Sequence, residues 1–229
     1  MIVSKDIKVV SEALKKGELV AIPTETVYGL AANIYDEKAI HQIYSLKKRP
    51  KSNPLIVHIG NCDQLDLLVK NVPKEVASLI QAFWPGPLTL LLEKSDLVPS
   101  YITAGSDKVA VRMPNHTLVL ELLNLIDFPL AAPSANPYKR ISPTEVNHVV
   151  NYFEHDLNYI LDGGKCEVGV ESTILGFEKG EPIIYRLGGI SKEKIESVLK
   201  REVNVSGSKS VNLPGSAKKH YSPLKRMIV

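Results

Sequence analysis

Segments with helical hydrophobic spacing alternate along this chain with apolar runs too short to be helices, and that interleaving restricts the fold more than any other feature. Ile7, Val10, Ala13 and Leu14 fall on one helical face, with Ser4 as a candidate N-cap and Gly17 as the stop. The run Glu18–Pro23 reads as a short buried strand. Asp36 can cap a helix carrying Ala39, Ile40, Ile43, Tyr44 and Leu46, and Leu55–Ile59 is the next strand. Helical patterns at Cys62–Val69 and Pro73–Phe83 follow, the second halted by Trp84-Pro85-Gly86-Pro87. Strands are expected at Leu88–Leu92 and Val109–Met113 and from Leu130, with a helix at His116–Ile126. Ser142-Pro143-Thr144-Glu145 has the form of a capping box, with Pro143 at the first helical position, for a helix through Tyr152. Strands at Tyr159–Leu161, Ser172–Phe177 and Ile183–Arg186 then cluster with no helix between them, before a last helix, Lys192–Arg201, capped by Ser191. Parallel βαβ units and adjacent antiparallel strands are both implied, so the expected fold is an α/β domain with a mixed, twisted, open sheet flanked by helices.

Length allows one sizeable domain: residues 1–204 are expected to form it, and 205–229, rich in Ser, Gly, Lys and Asn, to be a linker. The net charge of +3 favours anionic small molecules or a transient nucleic-acid contact without requiring either. Cys62 and Cys166 have no CxxC partner and no metal-like spacing, and no run suits a signal peptide or membrane span. The expectation is a cytoplasmic protein without disulfides or a bound structural metal.

Lys47-Lys48-Arg49-Pro50-Lys51 packs four cations into five residues just before the Leu55–Ile59 strand. Two prolines, Pro50 and Pro54, bar a continuing helix, so the run is either an anion-binding loop held at the mouth of the sheet or a solvated turn. Neither a GxxxxGK[ST] nor a GxGxxG motif is present, so a bound nucleotide would depend on side-chain cations. Lys47, Arg49, Arg112 and Arg186 stand at or beside strand ends and are candidates, each arginine serving equally for a salt bridge. Ser134 and Asn136, between Pro133 and Pro137, form a rigid polar corner or a plain turn. Gly169-Val170-Glu171-Ser172-Thr173 offers hydroxyls and a carboxylate on flexible backbone. His58 alternates with Ile and Val in a strand, a setting that is commonly structural. Glu25 has no neighbouring His or Ser that would mark a hydrolase, and no nucleophile triad is evident.

Taken in order, Pro23-Thr24-Glu25-Thr26-Val27-Tyr28-Gly29-Leu30, Lys47-x-Arg49-x-x-x-x-Pro54-Leu55, Trp84-Pro85-Gly86-Pro87-Leu88-Thr89, Arg112-x-Pro114, Pro133-Ser134-Ala135-Asn136, Glu171-Ser172-Thr173 and Arg186-x-Gly188 resemble the Sua5/YrdC family of threonylcarbamoyl-AMP synthases. The resemblance implies a YrdC-like sheet and condensation of L-threonine, bicarbonate and ATP into threonylcarbamoyl-adenylate and pyrophosphate, normally with Mg²⁺. The product would serve a separate tRNA threonylcarbamoyl transferase in t6A formation, and a weak tRNA contact is possible in such a protein. By motif, Lys47, Arg49, Asn53, Ser134, Asn136, Ser142 and Arg186 would contact ATP. Thr26, His58, Arg112 and Ser172 would surround threonine, with Lys47, Arg49 and Arg112 carrying the chemistry and His58 orienting substrate. Leu213-Pro214-Gly215 and His220-Tyr221-Ser222-Pro223 are similar to the linker of the longer Sua5 form, with Tyr221 on the ATP side and a C-terminal domain missing after it. The competing expectations are a basic RNA-binding module of the same fold and a carbamoyl-adenylate-forming relative; the second lacks its usual accompanying regions here.

Overall fold

The computed structural model describes residues 1–206. In chain order it begins with β1 (Ile2–Ser4), α1 (Ile7–Lys15), β2 (Val20–Ile22), β3 (Gly29–Asn33), α2 (Glu37–Lys47) and β4 (Ile56–His58). Next come α3 (Asp63–Leu68), α4 (Glu75–Phe83), β5 (Leu88–Glu93), α5 (Ser100–Thr103), β6 (Lys108–Arg112), α6 (Thr117–Leu125) and β7 (Leu130–Ala131). The described part closes with α7 (Val146–Phe153), β8 (Tyr159–Leu161), β9 (Thr173–Glu178), β10 (Glu181–Arg186), α8 (Lys192–Leu199) and β11 (Asn204–Val205). The strands join one eleven-stranded sheet in the order β1-β8-β2-β3-β7-β4-β6-β5-β9-β10-β11. Parallel pairs such as β4 with β6 and β5 with β9 alternate with antiparallel ones such as β5 with β6 and β9 with β10, which is the mixed open sheet expected from the sequence.

Period-two alternation decides what each face of this sheet does. Leu55, Val57 and Ile59 join Leu90, Leu92, Val109 and Val111 in the main core, together with Ile40 and Ile43 of α2 and Leu79 of α4. On the opposite face, Val10 and Leu14 of α1 and Val119, Leu122 and Leu123 of α6 cover Val20, Ile22 and Leu161. Further along that face, Ile56, Leu91, Ala110 and Ile174 form a small cluster that includes no helix residue. The same parity sends His58 and Arg112 to this bare part of the sheet, where they stand opposite each other in the β4–β6 register.

Two caps differ from the sequence expectation. Asp6, not Ser4, caps α1, its carboxylate accepting from the Lys8 N–H at 2.8 Å, while Ser4 ends an edge strand that short length concealed. The capping box at Ser142 does not form: α7 starts at Val146 with Glu145 at the N-cap, and Ser142 donates its hydroxyl to Glu171 instead. The Pro143 carbonyl accepts from the Tyr28 N–H at 2.8 Å, so tertiary bonds take over the groups the local motif would have used. β11 pairs with β10 across the expected boundary at residue 204. The tail motifs, including Tyr221, lie outside the described residues. Among the described residues, no helix is long and apolar enough to cross a membrane.

Leu90 is fully buried in β5, between β6 and the β9 side of the sheet. Leu90→Ala is expected to lower stability by about 2–5 kcal/mol, measured as a shift in urea midpoint at unchanged m-value.

Candidate active site

The bare part of the sheet is the floor of a pocket walled by four connecting segments. Ile56, His58 and Arg112 come from β4 and β6; Thr24, Thr26 and Val27 come from the β2–β3 connection; Ser134 follows β7; Glu171, Ser172 and Arg186 come from the β9–β10 side, and Arg49 from the basic loop. The β2–β3 connection is held from two directions. The Val168 and Gly169 N–H groups donate to the Glu25 and Thr26 carbonyls, and the Ala135 N–H donates to the Tyr28 carbonyl.

Of the twelve residues singled out from the sequence, Thr26, Arg49, His58, Arg112, Ser134, Ser172 and Arg186 line this pocket. Lys47 does not, and it is not held out at the mouth of the loop. It is 1% exposed and its ammonium donates to the carbonyls of Ser134 and Asn136, clamping the Pro133–Pro137 corner from behind. Burial and the nearby Arg49 pull its pKa down to about 7, against an opposing effect of Glu171. Asn136 builds the corner it belongs to: its amide donates to the Pro137 and Arg140 carbonyls, each at 2.9 Å. Asn53 is half-buried in the basic loop, its carbonyl accepting from Arg49 Nε at 3.2 Å. Ser142 lies in an adjoining cleft with Ile141, Val170 and Leu187, which shares Val27 and Glu171 with the pocket.

The three arginines are paired differently. Arg49 donates to backbone carbonyls, Asn53 at 3.2 Å and Pro54 at 2.8 Å, and lies 5.9 Å from the Tyr138 ring centre. Burial lowers its pKa from the ordinary arginine value. Arg186 forms an ion pair with Glu171 at 2.5 Å and also donates to Ser172, at 2.8 Å to its carbonyl and 2.9 Å to its hydroxyl. Arg112 is the most enclosed: Nη2 is 2.6 Å from Glu25 Oε2, Nη1 donates to Thr26 Oγ1 at 3.0 Å, and Nε donates to the Gly86 carbonyl at 3.3 Å. Three of the five guanidinium N–H groups are thereby used, which leaves two without a partner among the described residues. Salt bridge and pocket lining, alternatives in the sequence, coexist for Arg112 and Arg186.

The hydroxyls form a short relay. Thr26 Oγ1 is 2.8 Å from Thr24 Oγ1, which donates to the Val27 carbonyl at 2.7 Å, and Ser172 Oγ is 2.7 Å from Thr89 Oγ1. Gly188, in the adjoining cleft, packs against the backbone of this wall: a Cβ there would sit 2.2 Å from the Glu171 carbonyl oxygen and 2.5 Å from the Ser172 carbonyl carbon. Glu25, which sequence reasoning passed over, is the largest omission. The signal that could have found it is its place in a Thr-Glu-Thr run at a strand end, where a buried carboxylate needs a cation.

His58 is 3% exposed, and its Nδ1 is buried with no hydrogen-bond partner. Burial, reinforced by Arg112, pushes its pKa down to about 3. The ring is therefore neutral in the folded protein at physiological pH and can orient or accept but does not add charge. Burial likewise pushes the Cys166 thiol up to about 11, which removes it as a nucleophile.

A mixed open sheet whose bare face carries guanidinium, imidazole and hydroxyl groups, with no nucleophile triad among the described residues, defines an α/β protein built to hold small charged ligands above its strands. Residues 12–188 match the Sua5/YciO/YrdC family, described as "Telomere recombination", and the chain belongs to that family. It is 45% identical to the threonylcarbamoyl-AMP synthase of Pyrococcus abyssi, over 97% of this chain and 67% of that protein. It is 43% identical to the threonylcarbamoyl-AMP synthase of Bacillus subtilis, over 92% of this chain and 62% of that one. Its structure superposes on P. abyssi Sua5 complexed with L-threonine with a TM-score of 0.91 at 44% identity, covering 95% of this chain and 65% of the crystallised one. The chain thus spans about two thirds of the length of these relatives.

Because the folded-state pKa of His58 lies below the unfolded value of 6.5, only the unfolded chain takes up this proton as pH falls from 6.5 toward 3. Stability is unaffected by this group above that window and is lost on descending through it. Between pH 6 and 4, the wild type is expected to lose about 1.4 kcal/mol per pH unit relative to His58→Gln, measured by urea denaturation of both proteins.

Proposed function

We propose that this chain is an L-threonylcarbamoyladenylate synthase, condensing L-threonine, bicarbonate and ATP into threonylcarbamoyl-AMP with release of pyrophosphate. The observation that carries the reading is the charge layout of the pocket. Arg112, paired with Glu25, stands beside neutral His58 and Thr26; Arg49, bonded to carbonyls and not to a carboxylate among the described residues, lines the other side with Ser134 and Arg186. The first group suits an amino acid and the second a polyanion. That two relatives are named for this activity, and that a structural relative is a complex with L-threonine, supports the same assignment.

In this reading, threonine lies against Arg112, Thr26, His58 and Ser172, its carboxylate taking the two remaining Arg112 N–H groups. ATP lies along Arg49, Ser134 and Arg186, with Asn53, Ser142 and Tyr221 as further contacts. Lys47 and Asn136 act from behind by shaping the Ser134 corner. Carboxylation of the threonine nitrogen by bicarbonate gives an N-carboxylate, with loss of water. An oxygen of that group attacks the α-phosphorus, and the bond to pyrophosphate breaks. Such a displacement needs alignment and charge neutralisation more than a covalent nucleophile, which accounts for a site of cations and hydroxyls. His58 orients substrate and is not an obligatory base.

Mg²⁺ would neutralise phosphate charge when ATP is bound. Among the described residues, no cluster of three or more His, Cys, Asp or Glu could hold a metal. The donor set therefore fits an ion carried on the phosphate oxygens and water, with Glu171 as the carboxylate in reach of the nucleotide side. Residues 1–204 would be the catalytic domain and 205–229 its linker. The protein would act in the cytoplasm, pass its product to a tRNA threonylcarbamoyl transferase and contact tRNA weakly at most.

Pyrophosphate release, followed with each substrate omitted in turn, tests the assignment. Release is expected only with ATP, bicarbonate and threonine together, and Arg49→Ala is expected to lower kcat/KM at least about 100-fold, or about 2.7 kcal/mol. Equal release without threonine, or an undiminished Arg49→Ala, would refute it. Salt-steep RNA binding without pyrophosphate release would favour the RNA-binding module instead.

A further inference from the structure

Arg112 and its counter-ion face different cavities. The guanidinium lines the pocket; the Glu25 carboxylate does not, and instead lines a second cavity with His116, Gly163, Lys165 and Glu167, the two cavities sharing Thr24. Glu25 is 4% exposed, holds Arg112 at 2.6 Å through Oε2, and leaves Oε1 buried without a hydrogen-bond partner. Its carboxylate thus offsets the arginine's charge without itself presenting an oxygen to the pocket.

We infer that Glu25 is a specificity-determining residue that makes the amino-acid end of the pocket reject inorganic anions. The inference rests on the synthase reading and deepens it. Without counter-ions, the three arginines of one pocket would all attract phosphate, pyrophosphate or a nucleotide tail, and an anion seated on Arg112 would block threonine. With Glu25 in contact, the Arg112 end carries no net charge, yet two directed N–H groups remain for a carboxylate. A zwitterionic amino acid can use those donors without the long-range attraction that would concentrate polyanions. Arg49, by contrast, has carbonyl partners, so the nucleotide end stays net positive even with Glu171 on Arg186. The carboxylate thus divides one pocket into a charge-neutral end and a cationic end.

Glu25→Gln keeps the side-chain volume and an oxygen that accepts from Arg112 Nη2, while removing the charge. Inorganic phosphate is the probe, titrated by calorimetry and as an inhibitor of pyrophosphate release. In the variant, phosphate is expected to bind on the order of tenfold tighter or more and to compete with threonine, with the ATP KM moving less than about twofold. Glu25→Asp, which retains the charge, is expected to resemble the wild type in phosphate affinity. Unchanged phosphate affinity in Glu25→Gln, or tighter binding that does not compete with threonine, would overturn the inference. Should Glu25→Gln not fold, the wild type decides: phosphate must compete with ATP and not with threonine, and competition with threonine refutes the filter. Calorimetry needs no turnover, so failure of threonine to bind the wild type at all would count against the synthase reading and is distinguishable from failure of the charge filter.

Discussion

Alternation along β4 and β6 is the constraint on which the rest of this molecule depends. Each strand sends one set of residues into the main core and the other toward a stretch of sheet whose apolar cluster, among the described residues, includes no helix residue. Burial of Val57 and Val111 fixes the register, and the register in turn fixes His58 opposite Arg112. A slip of one residue would exchange core and pocket faces at once. The apolar core therefore specifies the polar site, and positional accuracy of the imidazole and guanidinium is inherited from packing they do not take part in.

Placing so many ionisable groups over a sheet would be costly if they were left uncompensated. Each buried cation has its compensation, and each kind differs: carbonyls for Lys47 and Arg49, a carboxylate and a hydroxyl for Arg112, a carboxylate and a serine for Arg186. These bonds also do mechanical work. Lys47 joins the end of α2 to the corner after β7, and Arg112 joins β6 to the β2–β3 connection. Elements distant in sequence are thereby held to the same pocket by the charges that make it attractive to ligands.

Much of this was legible in the sequence because the strands are short apolar runs between strong breakers and the motifs fall at their ends. What escaped has physical reasons. β1 is three residues long and β3 begins at Gly29 in a run of small residues, so neither presents a clear alternation. The capping box at Ser142 was a sound local pattern outcompeted by bonds to Glu171 and Tyr28. The burial of Lys47 was within reach, since Ile40, Ile43 and Tyr44 place position 47 on the same helical stripe. For Glu25 the Thr-Glu-Thr run at a strand end signalled a carboxylate in need of a cation, but not which one, because its partner lies 87 residues away and nothing local pairs them.

Gly188 sets how closely two segments beside the pocket approach, through the absence of an atom. Arg186 donates to the Ser172 carbonyl, and two residues later the chain lies against that same stretch of backbone so closely that a methyl group would overlap it. The arginine pulls the two segments together and the glycine permits the approach, so the two positions behave as a single gauge. Side chains that face a ligand can change without touching this contact, whereas the spacing of the two segments follows from backbone meeting backbone. Any change of pocket width on this side has to come from moving a whole strand connection.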